Sequence, residues 1–419
     1  MMKNTPIKNM IRSLKVAVFL AYKGIVRANI GVTFLTVFIL VLVALNLMFV
    51  PGLINGITDS ANEKLINTYS SHLVIEAQGL KDQGYKITHV KNLLTSIESI
   101  NGVEAVAARN SVGTNISFKD ESNNERKINC MVYGIVPEEE MKVFEVSEWL
   151  VEGSYLDNRD RDKILLGIQL AGAGQSDVEL FSHSLRDVHA GDKVTVTYNN
   201  GYTKQYTVKG IFHTRFIQTD LQAFVTQLEY ESIIPDTHDT ASELHVRLDN
   251  NADPLEIMRR IAMFNSGVDF QTWQQNAGIV NSMTTSFQLI NAILDVVNAL
   301  VAGITIFIVT YVDVMNKRRQ IGIQRAIGIK NHAIIFSYLL RALGYLIVGL
   351  LVARSLFIWV IMPFEASHPF YFPFGAVYLS LELPLLIRTT ALLLAISIVA
   401  AFIPVMLITR IKILDAIWG

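Results

Sequence analysis

Four long apolar runs constrain this chain more than any other feature of its sequence. The first, Ile30 to Leu53, has 24 residues and no charged side chain. The others cover 290–312, 333–362 and 389–409. At about 1.5 Å of helix per residue, each run can cross a hydrocarbon layer of roughly 30 Å. Because the first run exceeds the ~7–15 apolar residues of a cleaved signal peptide, we predict four membrane-spanning helices.

Charge is divided unevenly along the chain, and this division predicts the orientation. Six basic residues and no acidic one precede Asp59, whereas the stretch 59–278 holds 32 acidic and 20 basic residues. The stretch 313–332 has five basic residues and one acidic, and 363–387 has two acidic and none basic. Since cytoplasmic loops carry an excess of Lys and Arg, both termini and 313–332 are predicted to be cytoplasmic. The remaining two loops are predicted to lie outside.

The predicted fold class is an α-helical membrane protein with four transmembrane helices and a large α+β extracytoplasmic domain inserted between helices 1 and 2.

In the N-terminal segment before the first span, Ile7, Ile11, Leu14 and Val18 fall on one helical face, which is typical of a helix lying on anionic lipid. The predicted parts are an amphipathic cytoplasmic segment 1–29, helix 1 at 30–53, the outer domain 54–278, helix 2 at 290–312, a cytoplasmic segment 313–332, helix 3 at 333–362, an outer loop 363–387, helix 4 at 389–409 and a tail 410–419.

The inserted domain is long enough to form one or two compact subdomains. Alternating stretches such as "SHLVIEA", "KINCMVYGIV", "DKVTVTY", "KQYTVKGIF" and "ELHVRLD" predict strands, and Asn199-Asn200-Gly201 predicts a hairpin turn. "HVKNLLTSIESI" and "ADPLEIMRRIAMF" predict amphipathic helices. A lone Cys130 excludes an intrachain disulfide.

The segment "NKRRQIGIQRAIGIK", from Asn316 to Lys330, joins the second and third spans. On a helix, Arg318 and Arg325 share one face, and Ile323 and Ile327 fall on the other. One interpretation is a short helix resting on lipid headgroups. Its two glycines, Gly322 and Gly328, favour a second interpretation, in which another backbone approaches closely, because glycine costs ~1 kcal/mol in a helix interior.

"QIGIQRAIGIKNHAI" resembles a signature that follows the second span in FtsX-like ABC transporter permeases, a family that includes MacB, LolC and LolE. The family pattern matches from Ile321 to Gly328, but Gln320 replaces the usual glutamate. The stretches "DKILLGIQLA", "AGDKVTV" and "YTVKGIF" resemble the family's outer domain in the same order. The C-terminal "RIKILDAI" also resembles the family ending, with Ala416 where proline is common. Size and layout resemble LolC and LolE most.

The resemblance implies a permease subunit whose 313–332 segment docks on a separate ATPase. The partners implied are two ABC ATPase subunits, a second permease subunit that is identical or related, a periplasmic carrier or adaptor, and membrane lipids, but no nucleic acid. ATP and Mg would be bound by the ATPase, because this chain has no Gly-Lys pair and therefore no P-loop. No cofactor is expected in the chain itself, which is predicted not to be an enzyme. The ATPase-coupling residues implied are Gln320, Ile321, Gly322, Ile323, Arg325, Ala326, Ile327 and Gly328.

A second candidate site lies in helix 2. Asp295 interrupts the apolar run, with Asn291 and Asn298 about one turn away on either side. An acid within a span indicates function by default, although solvation near the outer headgroups explains it equally well. Ala299 and Gly303 form a small-xxx-small pair suited to close helix packing. These five residues are predicted to line a substrate path or a helix interface. Arg341 and Arg354 could line a polar interior, but they are predicted to snorkel toward opposite interfaces.

The predicted location is the bacterial inner membrane, and the leading function is release of lipoproteins. In LolC a long hairpin hooks the lipoprotein carrier, whereas "VTVTYNNGYTKQYTV" predicts a short turn here, and the extra length lies at Gly172 to Ala190. Export of a drug, peptide or lipid by a MacB-like pump is the first alternative. A signalling subunit that activates a partner such as a cell-wall hydrolase is the second. No catalytic or metal-ligand constellation is apparent among the scattered histidines, which include His183 and His189.

Overall fold

The computed structural model describes residues 6–26, 30–77, 86–119, 124–172, 183–249, 252–264, 267–276, 278–372, 375–381 and 383–410. The chain divides into two compact units. The membrane unit comprises Met1–Ile57, Thr284–Phe370 and Val377–Gly419, and the α+β unit comprises Thr58–Met283 and Tyr371–Ala376. The predicted C-terminal tail from 411 lies outside the described residues.

Helices account for the membrane unit, and helices and strands together build the α+β unit. The helices are α1 Pro6–Val26, α2 Ile30–Lys64, α3 Val90–Glu98, α4 Pro137–Val143, α5 Ile168–Ala171, α6 Ile217–Asp220, α7 Gln227–Ile233, α8 Pro254–Phe264, α9 Trp273–Asn276, α10 Gly278–Asn316, α11 Arg318–Ala326, α12 Asn331–Leu356, α13 Met362–Ser367 and α14 Leu383–Thr409. The strands are β1 Leu73–Ala77, β2 Ile87–Thr88, β3 Val103–Lys119, β4 Glu125–Ile135, β5 Leu150–Gly153, β6 Lys163–Gly167, β7 Lys193–Tyr198, β8 Thr203–Phe212, β9 Gln222–Thr226, β10 Thr240–Ala241, β11 Glu243–Leu248, β12 Val268–Thr272, β13 Phe370–Phe372 and β14 Gly375–Val377.

Four helical stretches within the described part of the chain are long and apolar enough to span a membrane: Ile30–Ser70, Thr285–Asn316, Asn331–Ser367 and Leu383–Thr409. The α+β unit is inserted between the first and second of them, so the predicted fold class is confirmed.

The first span continues beyond the predicted end at residue 53. Helix α2 passes through Pro51 to Lys64, and a π-helical turn extends it to Ser70. Two glycines in α2 allow another segment to pack closely, since the Gly52 carbonyl accepts a hydrogen bond of 3.0 Å from the Ser380 N–H. A Cβ on Gly56 would lie 1.9 Å from the Tyr378 carbonyl oxygen. Pro51 therefore does not end α2, and Gly52 and Gly56 allow the segment at 378–380 to pack closely against it.

The third span also ends later than predicted. After α12 the helix continues through a π-helical segment, Phe357–Ile361, and α13 reaches Ser367. Pro363, which favoured a loop from 363 onwards, lies in the first turn of α13. Pro363 therefore follows the π-helical segment without ending the helical stretch. Helices α10 and α14 begin at Gly278 and Leu383, earlier than predicted.

Helix α1 is present where the amphipathic segment was predicted, but its packing face is formed by small residues. Ala17 and Ala21 are buried, and Gly24 lies directly against the guanidinium of Arg341 on α12. Val18, predicted on the lipid face, is exposed. The side chains of Ile7, Ile11 and Leu14 lie outside the described residues.

One ten-stranded sheet organises the α+β unit. Its order is β12-β1-β11-β3-β4-β9-β6-β8-β5, and β7 bridges β3 and β8. Six of these strands, β3, β4, β9, β6, β8 and β7, therefore close a ring of consecutive pairs. The ring surrounds a core that includes Ile116, Val132, Val196 and Val225. A second core, with Leu73, Ile75 and Val246, packs where α3 and α8 cover the other end of the sheet.

The long strand β3 belongs to both halves of this sheet. It pairs with β11 through Val103 to Arg109 and with β7 through Thr114 to Ser117. The β7–β8 hairpin turns at Gly201, whose φ of +81° requires the left-handed region that glycine enters readily. The predicted short hairpin at Asn199-Asn200-Gly201 is confirmed.

Candidate functional site

The segment between the second and third spans folds as a short helix with a glycine-terminated end. Helix α11 is followed by Gly328 at φ +95°, and the Gly328 N–H donates to the Arg325 carbonyl at 3.1 Å. The Ile329 N–H donates to the Gln324 carbonyl at 3.0 Å. This pair of bonds is the Schellman arrangement, in which a left-handed residue satisfies the last carbonyls of a helix.

The close backbone approach that the sequence suggested at Gly328 is not present among the described residues. A Cβ at Gly328 would meet no atom within 4 Å. The glycine is required by its positive φ, because other L-residues lose about 1–2 kcal/mol in that region. Its function is to end α11 and to turn the chain into α12.

One side of α11 anchors the helix to the bundle. Ile321 is 2% exposed and packs in a cluster with Val314 of α10, Ile334 and Tyr338 of α12, and Val405 of α14. Gly322 is also buried. Two of the predicted coupling residues therefore face inward and fix α11 to three spanning helices at once.

The opposite side of α11 is exposed and mixes apolar and basic groups. Ile323 is 47% exposed and Ile327 is 73% exposed. The exposed residues of α11 and of the turn after it are Arg319, Gln320, Ile323, Ala326, Ile327, Gly328 and Lys330. Arg318 and Arg325, which were predicted to be opposite the isoleucines, are half-buried.

A cluster of ion pairs supports α11 from within the bundle. The Asp313 carboxylate of α10 accepts from Arg341 of α12 at 3.0 Å and pairs with Lys317 at 2.7 Å. Lys317 is the residue immediately before α11. Arg341 also donates to the Leu20 carbonyl of α1 at 3.1 Å. One guanidinium thus connects α1, α10 and α12 beside the start of α11.

The snorkelling predicted for Arg341 is therefore wrong. Its side chain is 9% exposed and is held by Asp313, by the Leu20 carbonyl and by the ring of Tyr338, 4.4 Å from the guanidinium carbon. A buried charge is stable only when it is paired and hydrogen-bonded, and this one has both kinds of partner. Arg354, by contrast, is exposed.

A second polar cluster lies near the middle of α10, from Asn291 to Asn298. Asp295 forms an ion pair with Arg388 at the start of α14. Asn298 donates to the Asn46 side chain of α2 at 2.8 Å. The side-chain oxygen of Asn291 is buried without a hydrogen-bond partner. The three polar residues predicted in helix 2 therefore share one end of the bundle, and two of them contact other spans.

Sequence reasoning missed Arg388 and Asn46. Arg388 falls between the predicted outer loop and the predicted fourth span, and its partner lies 93 positions away along the chain. Asn46 is the only amide side chain in the first apolar run. The available signal was the pairing rule itself, because a charge inside a span is expected to find an opposite charge on a neighbouring helix.

The two ion pairs are well separated along α10. Asp295 and Asp313 are eighteen residues apart, which corresponds to about 27 Å along a helix. This spacing is close to the ~30 Å of a bilayer hydrocarbon core. The residues between them include the small pair Ala299 and Gly303, which face α14 in the same chain, since a Cβ on Gly303 would lie 3.3 Å from Ile396.

Among the described residues, no group of three or more His, Cys, Asp or Glu side chains is arranged to hold a metal ion. His189, in the α+β unit, is bound to Glu152 at 2.9 Å and to Asp187 at 3.2 Å. These carboxylates raise the pKa of the imidazole above its ordinary value, mainly through the Glu152 hydrogen bond. We assign this exposed group a local structural role.

Comparisons with known proteins add a family to this geometry. Residues 293–413 match the family described as FtsX-like permease C-terminal. The periplasmic region of MacB from Actinobacillus actinomycetemcomitans is a structural neighbour, with 11% identity, a TM-score of 0.34 and coverage of 50% of this chain and 92% of that one. The extracellular domain of the noncanonic ABC-type transporter YknZ from Gram-positive bacteria is another, with 13% identity, a TM-score of 0.32 and coverage of 48% and 98%. No curated protein matches the chain.

Four helices that are long and apolar enough to span a membrane, with a large α+β domain after the first, define a multi-pass membrane protein. The family match covers the last three spans and α11. This C-terminal part of the chain therefore matches the FtsX-like permeases that the resemblance predicted. Permeases of this type work with ABC ATPase partners. The closer likeness to LolC and LolE stays a prediction.

Proposed function

We propose that this chain is the permease subunit of an ABC transporter of the mechanotransmission type. A separate ATPase subunit hydrolyses ATP, and the permease converts its movement into movement of the extracytoplasmic domain. The assembly contains two ATPase subunits and a second permease subunit. The movement extracts or exports a hydrophobic or amphipathic molecule.

Helix α11 is the single observation that carries this proposal. It is a short helix between two spans, anchored through Ile321 and exposing Ile323 and Ile327 among basic residues. A helix that merely rested on lipid would not need attachment to three spanning helices. The attachment means that a force applied to α11 acts directly on α10, α12 and α14.

The continuous first span supports the mechanical part of the proposal. Helix α2 has no break from Ile30 to Lys64, and its π-helical extension is packed within the α+β unit. Leu65 lies in a cluster with Phe216, and Thr68 bonds to Thr219 at 3.2 Å. The Lys64 ammonium lies 3.2 Å from the ring centroid of Trp149. A span that enters the sheet domain in this way is suited to moving it.

The distribution of basic residues supports the proposed orientation in a bacterial inner membrane. Arg319 and Lys330 are exposed beside α11, and Lys15 and Lys23 are exposed on α1. The positive-inside rule places such loops in the cytoplasm. With both termini cytoplasmic, α11 lies on the side where ATP and Mg are available to the partner ATPase.

The surface of α10 supports a second permease subunit. Within its most apolar stretch, 11% of the residues are buried inside the chain, against 39% in the first and fourth spans. Ile293, Val297 and Ile308 are all exposed on this helix. We propose that part of this surface meets another permease subunit, identical or related.

The specific substrate proposal is a lipoprotein released from the inner membrane. An amphipathic cargo fits a permease whose spans carry few polar residues and whose outer domain has its own packed cores. The β7–β8 hairpin is too short to serve as the carrier hook of LolC, so a carrier or adaptor would need another contact. Export of a drug, peptide or lipid and activation of a cell-wall hydrolase are the competing outputs.

The proposal is tested by purifying the tagged chain from its native membranes and assaying the eluate for ATPase activity. We expect a stoichiometric ABC ATPase with the wild-type chain and loss of most of it with Ile327→Asp, which places a charge on the exposed face. Arg354→Gln, on α12 and away from α11, is the matched control and should retain the ATPase. Retention of the ATPase by Ile327→Asp at the wild-type level would overturn the docking role of α11.

The same purification separates the competing outputs. A co-purified lipoprotein would support release, a small amphipathic molecule would support export, and a cell-wall hydrolase bound to the outer domain would support signalling.

A further inference from the structure

An apolar groove runs between α10 and α14 in the membrane unit. Its volume is about 580 Å³, and its lining is apolar along its whole length. Small residues deepen its floor, and larger side chains form its walls. Its lining includes Ala299, Gly303 and Phe307 of α10 and Ala395, Ile396 and Val399 of α14.

The Asp295–Arg388 ion pair lies beyond one end of this groove, next to Val296 of its lining. Asp295, Ala299 and Gly303 follow each other at intervals of four residues, so they lie on one face of α10. Arg388 precedes Ala395 by seven residues, so these two share a face of α14. The same two helix faces therefore carry the charged pair at one end and the apolar groove below it.

Arg388 remains accessible although it is paired. Its side chain is 65% exposed, whereas that of Asp295 is 15% exposed. A guanidinium has five N–H donors in a planar fork, and the bond to Asp295 uses part of this capacity. The free edge matches a phosphate group, which accepts two parallel bonds from arginine.

The α10 side of the groove is about as long as one leaflet of a bilayer. From Val296 to Phe307 the lining of α10 advances by eleven residues, or about 17 Å along the helix axis. Half of a hydrocarbon core is about 15 Å. On α14 the lining continues to Ile403, so the groove is long enough for one acyl chain.

We propose that this groove binds a phospholipid of the outer leaflet, with one acyl chain along α10 and α14 and the phosphate on Arg388. A spanning helix of another subunit fits less well. A helix would bring apolar residues against the charged pair, whereas a lipid brings a phosphate.

This inference rests on the proposed orientation but not on the proposed coupling to an ATPase. Lipid binding is a property of the full chain in a bilayer. It is measurable without nucleotide or partner, so failure of the lipid site and failure of α11 as a docking helix give different results.

The test uses the purified full chain in nanodiscs that contain a small fraction of phosphatidylglycerol with a photoreactive diazirine in one acyl chain. Cross-linked peptides are identified by mass spectrometry. We expect adducts concentrated on the α10 and α14 residues of the groove. Diacylglycerol with the same acyl chains but no phosphate should label the groove roughly tenfold less, because a charge-assisted contact to Arg388 is absent.

Three variants make the test specific. Arg388→Gln should lower phosphatidylglycerol labelling to the level of diacylglycerol, and Arg388→Lys should restore part of it. Ala299→Leu, which fills the groove without touching the ion pair, should reduce labelling by both probes. Arg354→Gln, which changes an exposed arginine on α12, should leave the labelling unchanged.

Two results would overturn the proposal. One is labelling spread evenly over the lipid-facing sides of all four spans, with no loss in Ala299→Leu. The other is cross-linking of a second copy of the chain at Ala299 or Val399, which would show that a helix occupies the groove.

Discussion

The membrane unit and the α+β unit use apolar residues in opposite ways. In the α+β unit, Ile116, Val132 and Val225 are fully buried inside the sheet. In the membrane unit, Ile304, Leu351 and Val399 are 56–62% exposed, because lipid is as apolar as their side chains. Apolar burial therefore specifies the fold of the α+β unit. In the membrane unit, a few polar contacts between helices must determine which helix faces meet.

The ion pairs of the two units show this difference directly. In the α+β unit, Arg109 and Glu140 form a pair that is about 2% and 1% exposed. The Arg109 guanidinium carbon also lies 3.9 Å from the centroid of the Phe144 ring. This pair lies inside a core whose packing is already set by buried apolar residues. The Asp313–Arg341 and Asp295–Arg388 pairs instead join separate helices at the two ends of the membrane unit.

The largest expected effect comes from leaving Arg109 without its partner. Glu140→Ala should destabilise the α+β unit by about 3–5 kcal/mol, because an unpaired buried charge remains. Chemical denaturation of the purified chain, followed by fluorescence, measures this loss. Glu125→Ala removes an exposed pair with Lys127, whose side chains are 40% and 58% exposed, and should cost less than ~1 kcal/mol. Equal losses in the two variants would contradict the account of this pair.

The second prediction concerns pH. Burial raises the pKa of Asp220 to about 7, although the Thr214 N–H and hydroxyl both donate to its carboxylate. Because the folded state then holds a proton that the unfolded state has released, stability should fall as pH rises from about 4 to about 7. The slope is at most ~1.4 kcal/mol per pH unit.

Asp220→Asn keeps an acceptor for Thr214 but cannot titrate, so its stability should lack this slope. Thermal unfolding of the full chain at several pH values tests this comparison. Parallel pH profiles for the wild type and the variant would show that Asp220 ionises normally in the folded protein.

A smaller effect is expected for the cytoplasmic pair of the membrane unit. Asp313→Asn and Arg341→Met should each weaken the bundle, and the double variant should lose less than the sum. The expected coupling energy is about 1–2 kcal/mol, since measured polar contacts between spans are modest. Unfolding of the wild type, the two single variants and the double variant in mixed micelles gives this coupling energy through a double-mutant cycle. An additive result would show that the pair does not hold α10 to α12.

The smallest expected effect on stability is at Gly328. Gly328→Val should cost about 1–2 kcal/mol and tilt α11, because valine does not tolerate the left-handed φ of +95°. Gly328→Asn tolerates this region better and should retain ATPase coupling. Co-purified ATPase activity distinguishes the two variants. Loss of coupling in both would mean that a partner touches the glycine itself.

Much of the layout was predictable because it depends on local composition. Hydropathy located the four spans, and alternation located β1, β4, β7, β8 and β11. The closed ring of strands was not predictable, because the parallel β4–β9 and β6–β8 pairs join segments far apart in sequence. Local patterns contain no information on such pairing.

The candidate sites were predictable only in part, for similar reasons. Asp295 was visible as a charge in an apolar run, but Arg388 became its partner only through helix packing. Arg341 looked like a snorkelling residue because nothing in the sequence shows that Asp313 and the Leu20 carbonyl surround it. At Gly328 the residue type was informative, but the sequence could not show that the glycine has a positive φ, since close packing and a positive φ both favour glycine.

The most direct test of α11 as the coupling element is site-specific photocross-linking in native membranes. A benzophenone amino acid is placed at Ile327, on the exposed face, and at Ile347, which is exposed on α12 within the span. We predict a strong adduct between position 327 and an ABC ATPase, and adducts at position 347 to lipid alone. Labelling of lipid at both positions, with no ATPase adduct at 327, would contradict the proposal that α11 receives the force of ATP hydrolysis.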